Sequence, residues 1–237
     1  MQRYFSNKQD GNSFILNNDD LYHIRKVMRM TNGEKIEVVY NNELYICSIE
    51  NVNTDIKINK INKLEEKVSS KLKISIAVPL VKEQKLDLIL QKSTELGVDK
   101  IIIYEAERSV IKINIDKENN KLQRWQKICK EASEQSKRTD IPSVIGICKL
   151  NDLINYDGQK IVCSTKKSVN NIKFFLQNNI DCDKLFIVIG PEGGLSEREE
   201  LFLTNNKFVP LSLGNRILRV ETVPLFLLSV INYNLME

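Results

Sequence analysis

The chain has one histidine, His23, and five cysteines, Cys47, Cys129, Cys148, Cys163 and Cys182, none of them paired as Cys-x-x-Cys. A zinc site, which needs clustered imidazoles and thiolates, is therefore not expected, and no metal is assigned. Thiols scattered in this way fit a reducing compartment, where they pack as small apolar residues. No apolar run approaches the length of a membrane span. The opening Met1-Gln2-Arg3-Tyr4-Phe5-Ser6 also lacks the basic-then-apolar pattern of a secretory signal. A cytoplasmic protein without a membrane partner is the expectation. Excess charge of one sign is scarce too, at a net +4 over 237 residues, so charge alone does not establish nucleic-acid binding. What is present, 42% apolar and 28% charged residues, is the profile of a folded globular protein. The length suits one large domain or two smaller ones.

Charge distribution says more than its sum. Residues 1 to 70 are balanced, whereas Arg108 to Arg138 hold the clearest local basic excess. That stretch is either a solvated helix face or a surface facing an acidic partner.

The first sixty or so residues alternate apolar and polar in period two. Strands are predicted at Arg3 to Phe5, Phe14 to Leu16, Lys35 to Tyr40, Leu44 to Ile49 and Val52 to Ile61, with Asn41-Asn42 as a hairpin turn because asparagine tolerates the left-handed conformation. A helix over Asp20 to Met30, capped by Asn18 or Asp19, interrupts them. Short strands with one helix predict a small β-barrel over 1–70. A charged, serine-containing stretch from Lys63 to Lys73 then leads into a different pattern. Strands at Leu72 to Val78, Lys100 to Tyr104, Ser143 to Cys148, Lys160 to Ser164, Lys184 to Ile189 and Phe208 to Leu211 alternate with helices at Lys85 to Leu96, Lys117 to Lys137 and Val169 to Asn178. This predicts an α/β domain over 71–237, with a largely parallel sheet whose ligands bind beyond the strand carboxyl ends.

Two loops carry the chemistry. The strand Leu185-Phe186-Ile187-Val188-Ile189 runs into Gly190-Pro191-Glu192-Gly193-Gly194-Leu195, and a helix follows at once, with Ser196 and Glu199 at capping-box spacing. The glycine spacing fits neither the dinucleotide nor the triphosphate fingerprint. Taken alone, the loop is either a ligand cradle or a plain turn. The next loop is Leu213-Gly214-Asn215-Arg216-Ile217-Leu218-Arg219-Val220-Glu221-Thr222. Charges among apolar residues are costly to bury, so Arg219 and Glu221 either pair with each other or meet a ligand. The last segment, Val223 to Met236 with Pro224 in its first turn, is apolar on nearly every side. Such a helix must be covered all round, by its own subunit's core or by a second copy.

These two loops, together with Gln91-Lys92-Ser93-Thr94-Glu95-Leu96-Gly97-Val98, Glu134-Gln135-Ser136-Lys137-Arg138-Thr139, the opening Arg3-Tyr4-Phe5 and the segment His23 to Met30, resemble the bacterial 16S rRNA uracil-N3 methyltransferases. These are the RsmE-type members of the SPOUT superfamily. The resemblance spans essentially the whole chain. It implies a PUA-like barrel that helps grip RNA, an α/β methyltransferase domain with a deep trefoil knot, and a homodimer acting on 16S rRNA of the small ribosomal subunit. The chain departs from the family in having Asn215 where proline is usual, Lys137 where glycine is common, and Val220 and Val223 in place of threonine and alanine.

By the resemblance, Gly190, Glu192, Gly193, Leu213, Gly214, Ile217, Leu218 and Thr222 would hold S-adenosylmethionine. Uracil N3 must lose a proton to attack, so the site needs either a base or stabilisation of the charge developing on the ring oxygens. Arg138 is the candidate for stabilisation, with donation from the partner subunit left open, and Glu192 is the weaker candidate for the base. For RNA grip the candidates are Arg3, Arg25 and Arg29, the last two four apart on one helix face, and Arg124, Lys127 and Lys130 in the basic stretch. His23 reads as a packed or capping residue. Three alternatives stay open: a SPOUT methyltransferase acting on another rRNA or tRNA nucleotide, a non-catalytic RNA-binding or ribosome-assembly factor, and a nucleotide-dependent oxidoreductase or phosphotransferase.

Overall fold

In the computed structural model, residues 1–65, 72–109, 111, 118–166, 169–179 and 182–236 are described. They fall into two compact units, Met1–Ser69 with Lys130–Ile141, and Ser70–Cys129 with Pro142–Glu237.

The first unit is built on six strands: β1 (Arg3–Phe5), β2 (Lys8–Asp10), β3 (Ser13–Ile15), β4 (Lys35–Tyr40), β5 (Glu43–Glu50) and β6 (Lys57–Leu64). They pair in the order β1-β4-β5-β6-β3-β2. β1 runs parallel to β4, and the other pairs are antiparallel. Alternation does what the sequence pattern demands, since Ile36, Val38, Ile49 and Ile58 turn inward with Tyr4, Phe14 and the buried thiol of Cys47. Asn41 and Asn42 sit at φ 52° and 60° and close the β4–β5 hairpin as expected.

Three details differ from the sequence expectation. The cap of α1 (Asn18–Tyr22) is Asn17, not Asn18 or Asp19, because its Oδ1 accepts the Asp20 amide at 2.9 Å. The helix does not continue to Met30 but passes into a π turn over His23–Val27. The strand expected from Val52 begins only at Lys57, because residues 52–55 form a turn held by Asn32 Oδ1, which accepts the Val52 amide at 3.0 Å. β2 has all three side chains exposed and so presents no alternation to read.

The last turns of α3 (Glu118–Gln135) also belong to this unit. There the Lys130 ammonium lies 2.5 Å from Asp20 Oδ1 and 2.9 Å from Glu134 Oε1, with all three side chains largely buried. Burial raises both carboxyl pKa values, and Lys130 opposes that rise. One cation therefore ties α1 to α3, and removing it leaves two carboxylates in a poorly solvated place.

The second unit alternates strand and helix. β7 (Lys73–Pro79), α2 (Glu83–Glu95), β8 (Lys100–Glu105), α3, β9 (Ser143–Lys149) and a 3-10 turn over Leu150–Asn155 lead into β10 (Gln159–Cys163), α4 (Ile172–Asn179), β11 (Lys184–Val188), α5 (Glu197–Asn205), β12 (Val209–Leu211) and α6 (Thr222–Leu235). Lys117, at the predicted start of α3, lies outside the described residues. Every ladder in the sheet is parallel, in the order β12-β10-β11-β7-β8-β9. Ile101 to Tyr104 and Leu185 to Val188 are buried as unbroken runs, the signature of strands covered on both faces. Phe186 stacks on Tyr156 and meets Phe208 edge-on. Gly97 takes φ 87° just past the end of α2, as its position predicted.

The terminal helix α6 is not covered all round within the chain. Val223, Pro224, Leu227, Leu228 and Ile231 are buried, and Asn232 Nδ2 donates to the Leu96 carbonyl at 2.8 Å where α6 meets α2. Tyr233 and Met236 are exposed.

Lys130→Met keeps the volume and removes the charge. It should lower unfolding stability at neutral pH by about 3 kcal/mol in denaturant titration. Asp20 and Glu134 would then bind protons more tightly folded than unfolded, so the deficit should shrink as pH falls toward the ordinary carboxylate range. A deficit that grew on acidification would contradict this arrangement.

Candidate functional site

In the second unit the chain steps outward from β7 to β8 to β9, then crosses to the other side of the sheet, where β11 pairs with β7. Strand order reverses between β7 and β11, and in parallel sheets the crevice beyond the carboxyl ends of such a pair is where ligands bind. Two segments open there: the one leading from β7 into α2, and Gly190 to Ser196 after β11. Lys85, in the first turn of α2, joins them by donating to Glu192 Oε1 at 2.9 Å. Its ammonium also lies 3.6 Å from Glu221 Oε2 at the start of α6, a charge contact beyond hydrogen-bond distance. That Glu221 oxygen is buried and has no hydrogen-bond partner among the described residues.

This lysine sets much of the local electrostatics. Partial burial pushes the Glu192 carboxyl pKa up, but the Lys85 hydrogen bond, a backbone hydrogen bond and the charges of Lys85 and Lys82 together outweigh it, and the pKa lies below its ordinary value. Glu192 is thus an ionised acceptor already engaged by a cation, which makes it a poor proton acceptor. The same bond raises the Lys85 pKa.

The glycine loop is shaped by close approach. A Cβ on Gly190 would sit 3.1 Å from the Leu195 amide nitrogen, so the loop folds back on its own backbone there. The Gly194 amide donates to the Pro191 carbonyl at 2.8 Å. Ser196 and Glu199 form the predicted capping box at the start of α5, and the second Glu199 oxygen accepts the Glu107 amide at 2.7 Å. Arg108 Nη1 donates to the Gly193 carbonyl at 2.9 Å, and the buried Tyr104 hydroxyl to the Ile189 carbonyl at 2.7 Å. Both residues lie at or just past the end of β8. The second loop follows β12 on the same edge of the sheet. Gly214 is at φ 117°, a conformation that favours glycine. Leu213 and Leu218 are half-buried, Ile217 is 84% exposed, and the Thr222 amide donates to the Arg219 carbonyl at 2.8 Å. Arg219 is exposed, and Glu221 faces Lys85 instead of pairing with it. A surface cavity of about 380 Å3 lined by Tyr156, Gly158, Lys160, Lys207 and Val209 lies at the opposite, amino-terminal ends of the strands, where β10 and β12 begin.

Several basic candidates are placed differently from their sequence assignment. Arg3 is 2% exposed and bonds Glu37 at 2.8 Å, so it is not a surface RNA contact. Lys130 is committed to Asp20 and Glu134, which removes it from that role too. Arg25 and Arg29 do not share a helix face: Arg25 donates to the Val52 and Thr54 carbonyls, and Arg29 lies beyond the π turn at φ 52°. Arg29 and Lys127 are exposed, and Arg124 is exposed but paired with Glu83 and Asp87. Arg138 is largely buried, and Asp140 accepts from its Nε and Nη2 at 3.2 and 2.7 Å. It belongs to the first unit, whereas both loops belong to the second. His23 is a packed residue, with Nδ1 3.0 Å from the Tyr4 hydroxyl. Lys85 and Arg108 escaped sequence reasoning; the available signal was their place just past β7 and β8.

Comparison with known proteins fits this architecture. Residues 68–232 match the family described as RNA methyltransferase domain, and residues 16–60 the RNA methyltransferase PUA domain. Fold and site thus define a class, the two-domain RNA methyltransferases. Ribosomal RNA small subunit methyltransferase E of Bacillus subtilis (strain 168) is 35% identical over 247 residues, spanning 98% of this chain and 96% of that protein. Its namesake from Mesomycoplasma hyopneumoniae (strain 232) is 34% identical over 233 residues, with coverage of 97% and 98%. A Legionella pneumophila structure, solved in complex with the cofactor SAM, superposes with a TM-score of 0.88 at 29% identity over 98% of this chain and 96% of that one. The chain belongs to the ribosomal RNA small subunit methyltransferase E family.

Carboxyl titration followed by NMR should find the Glu192 midpoint below that of an ordinary glutamate, and Lys85→Met should move it upward. An unmoved midpoint in the variant would mean that Lys85 does not set the charge of this crevice.

Proposed function

We propose that the protein transfers a methyl group from S-adenosylmethionine to N3 of a uridine in 16S rRNA of the small ribosomal subunit. It acts in the cytoplasm as a homodimer, with residues 1–70 gripping RNA and a knotted domain over 71–237 carrying the chemistry. The observation that carries this is the switch-point crevice, where Lys85 joins Glu192 and Glu221 beside the glycine loop. Family membership and the SAM-bound Legionella relative support it.

The residues suit the cofactor. The buried Glu221 oxygen, which has a charge contact with Lys85 but no hydrogen-bond partner among the described residues, offers an acceptor to a ligand hydroxyl or ammonium. Gly190, Glu192 and Gly193 form one wall of the binding site, and Leu213, Gly214, Ile217, Leu218 and Thr222 the other. When bound, S-adenosylmethionine supplies a methyl group already activated by its sulfonium. The protein's own tasks are to align the base in line with that group, exclude water, and stabilise the charge that uracil N3 passes to its ring oxygens on losing its proton. Arg138 performs the stabilisation, oriented by Asp140. Glu192, with its lowered pKa, anchors the loop through Lys85 and is the weaker candidate for the base. Arg25, Arg29, Arg124 and Lys127 supply the phosphate contacts.

Arg138→Ala should leave cofactor affinity by calorimetry within about two-fold and slow methyl transfer to unmodified small subunits about a hundred-fold, the usual scale for losing one charge-stabilising donor. An unaltered transfer rate would remove Arg138 from the mechanism.

A further inference from the structure

Arg3, displaced from RNA contact by its burial, has a different task. We infer that Arg3 is a positioning residue for methyl transfer, fixing the left-handed turn from which Arg138 projects. This rests on the role proposed for Arg138.

The turn closes α3. The Ser136 amide donates to the Ala132 carbonyl at 2.9 Å and the Arg138 amide to the Ser133 carbonyl at 3.0 Å, with Lys137 between them at φ 63°. This closure ordinarily uses glycine at the left-handed position, and a lysine there needs support from its surroundings. The support is polar. Arg3 Nη1 donates to the Lys137 carbonyl, while Lys137 Nζ donates to the Met1 carbonyl and to Glu37 Oε2 at 3.0 Å. Glu37 Oε2 also accepts Arg3 Nε at 2.8 Å.

The Lys137 carbonyl and the Arg138 amide are two ends of one planar peptide group. Arg3 holds the oxygen end and Ser133 the nitrogen end, so the plane that launches Arg138 is clamped at both edges. Arg3 is itself held in place, because β1 pairs with β4 in a register that sets Arg3 opposite Glu37. Asp140 then fixes the far end of the Arg138 side chain. Only a guanidinium reaches both acceptors, since its Nε and Nη1 point in fixed, different directions, whereas an ammonium is a single point of charge. A lysine at this position would keep the charge and lose the clamp.

The test is Arg3→Lys in the full chain, assayed for methyl transfer to unmodified small subunits. The expected result is a fall in kcat of about ten-fold, with KM for the subunits and cofactor affinity each within two-fold. In an Arg138→Ala background the same change should slow transfer no further, because residues acting as a unit are not additive. Glu37→Gln, which keeps the shape but loosens Arg3, should repeat the pattern and serves if Arg3→Lys fails to fold. A wild-type kcat in these variants, a loss confined to KM, or a loss that multiplies with Arg138→Ala would overturn the inference. Arg138→Ala that transfers at the wild-type rate would instead defeat the role of Arg138 itself, so the two failures are told apart.

Discussion

Parallel pairing of β11 with β7 on one side, while its other side pairs with β10, creates the crevice on which the rest of the site depends. The ladder runs from Lys184 opposite Lys73 to Val188 opposite Ala77, and both strands are apolar runs that can only be buried on two faces. Once it forms, the segments following the two strands must emerge together, and Lys85 comes within hydrogen-bond reach of Glu192 although the two are 107 residues apart in sequence. The glycine loop, its capping box and the Tyr104 and Arg108 bonds then fix how the β11 end presents its backbone.

The first unit depends on buried charge to a comparable degree. Asp20 with Lys130 and Glu134, and Arg3 with Glu37 and Lys137, link the strands and α1 to the end of α3. Such pairs are seldom stabilising relative to apolar packing, yet they are severe about geometry, since a misplaced partner leaves a desolvated charge. That severity suits the role proposed for Arg138, which projects from this segment.

Much of this was legible from residue types. Period-two alternation, the Asn41-Asn42 turn, the Ser196–Glu199 capping box and the helix stop at Gly97 each follow from local chemistry, and the structure has them where they were expected. The resemblance located both loops of the candidate site. What was not legible is what periodicity cannot encode. It yields strands but not their neighbours, so the β7–β11 switch and the partnership of Lys85 stayed hidden. It is silent where every side chain is exposed, as in β2. Charge read without position assigned Arg3 and Lys130 to RNA, whereas both are held by carboxylates. Of the two readings left open for Glu221, pairing with Arg219 does not occur, and its charged neighbour is Lys85.

The central claim is the identity of the product. Small subunits lacking the modification, treated with the protein and labelled S-adenosylmethionine and then digested to nucleosides, should yield the label in N3-methyluridine at a single position of 16S rRNA. Label in any other nucleoside, or none at all in the presence of bound cofactor, would contradict the account.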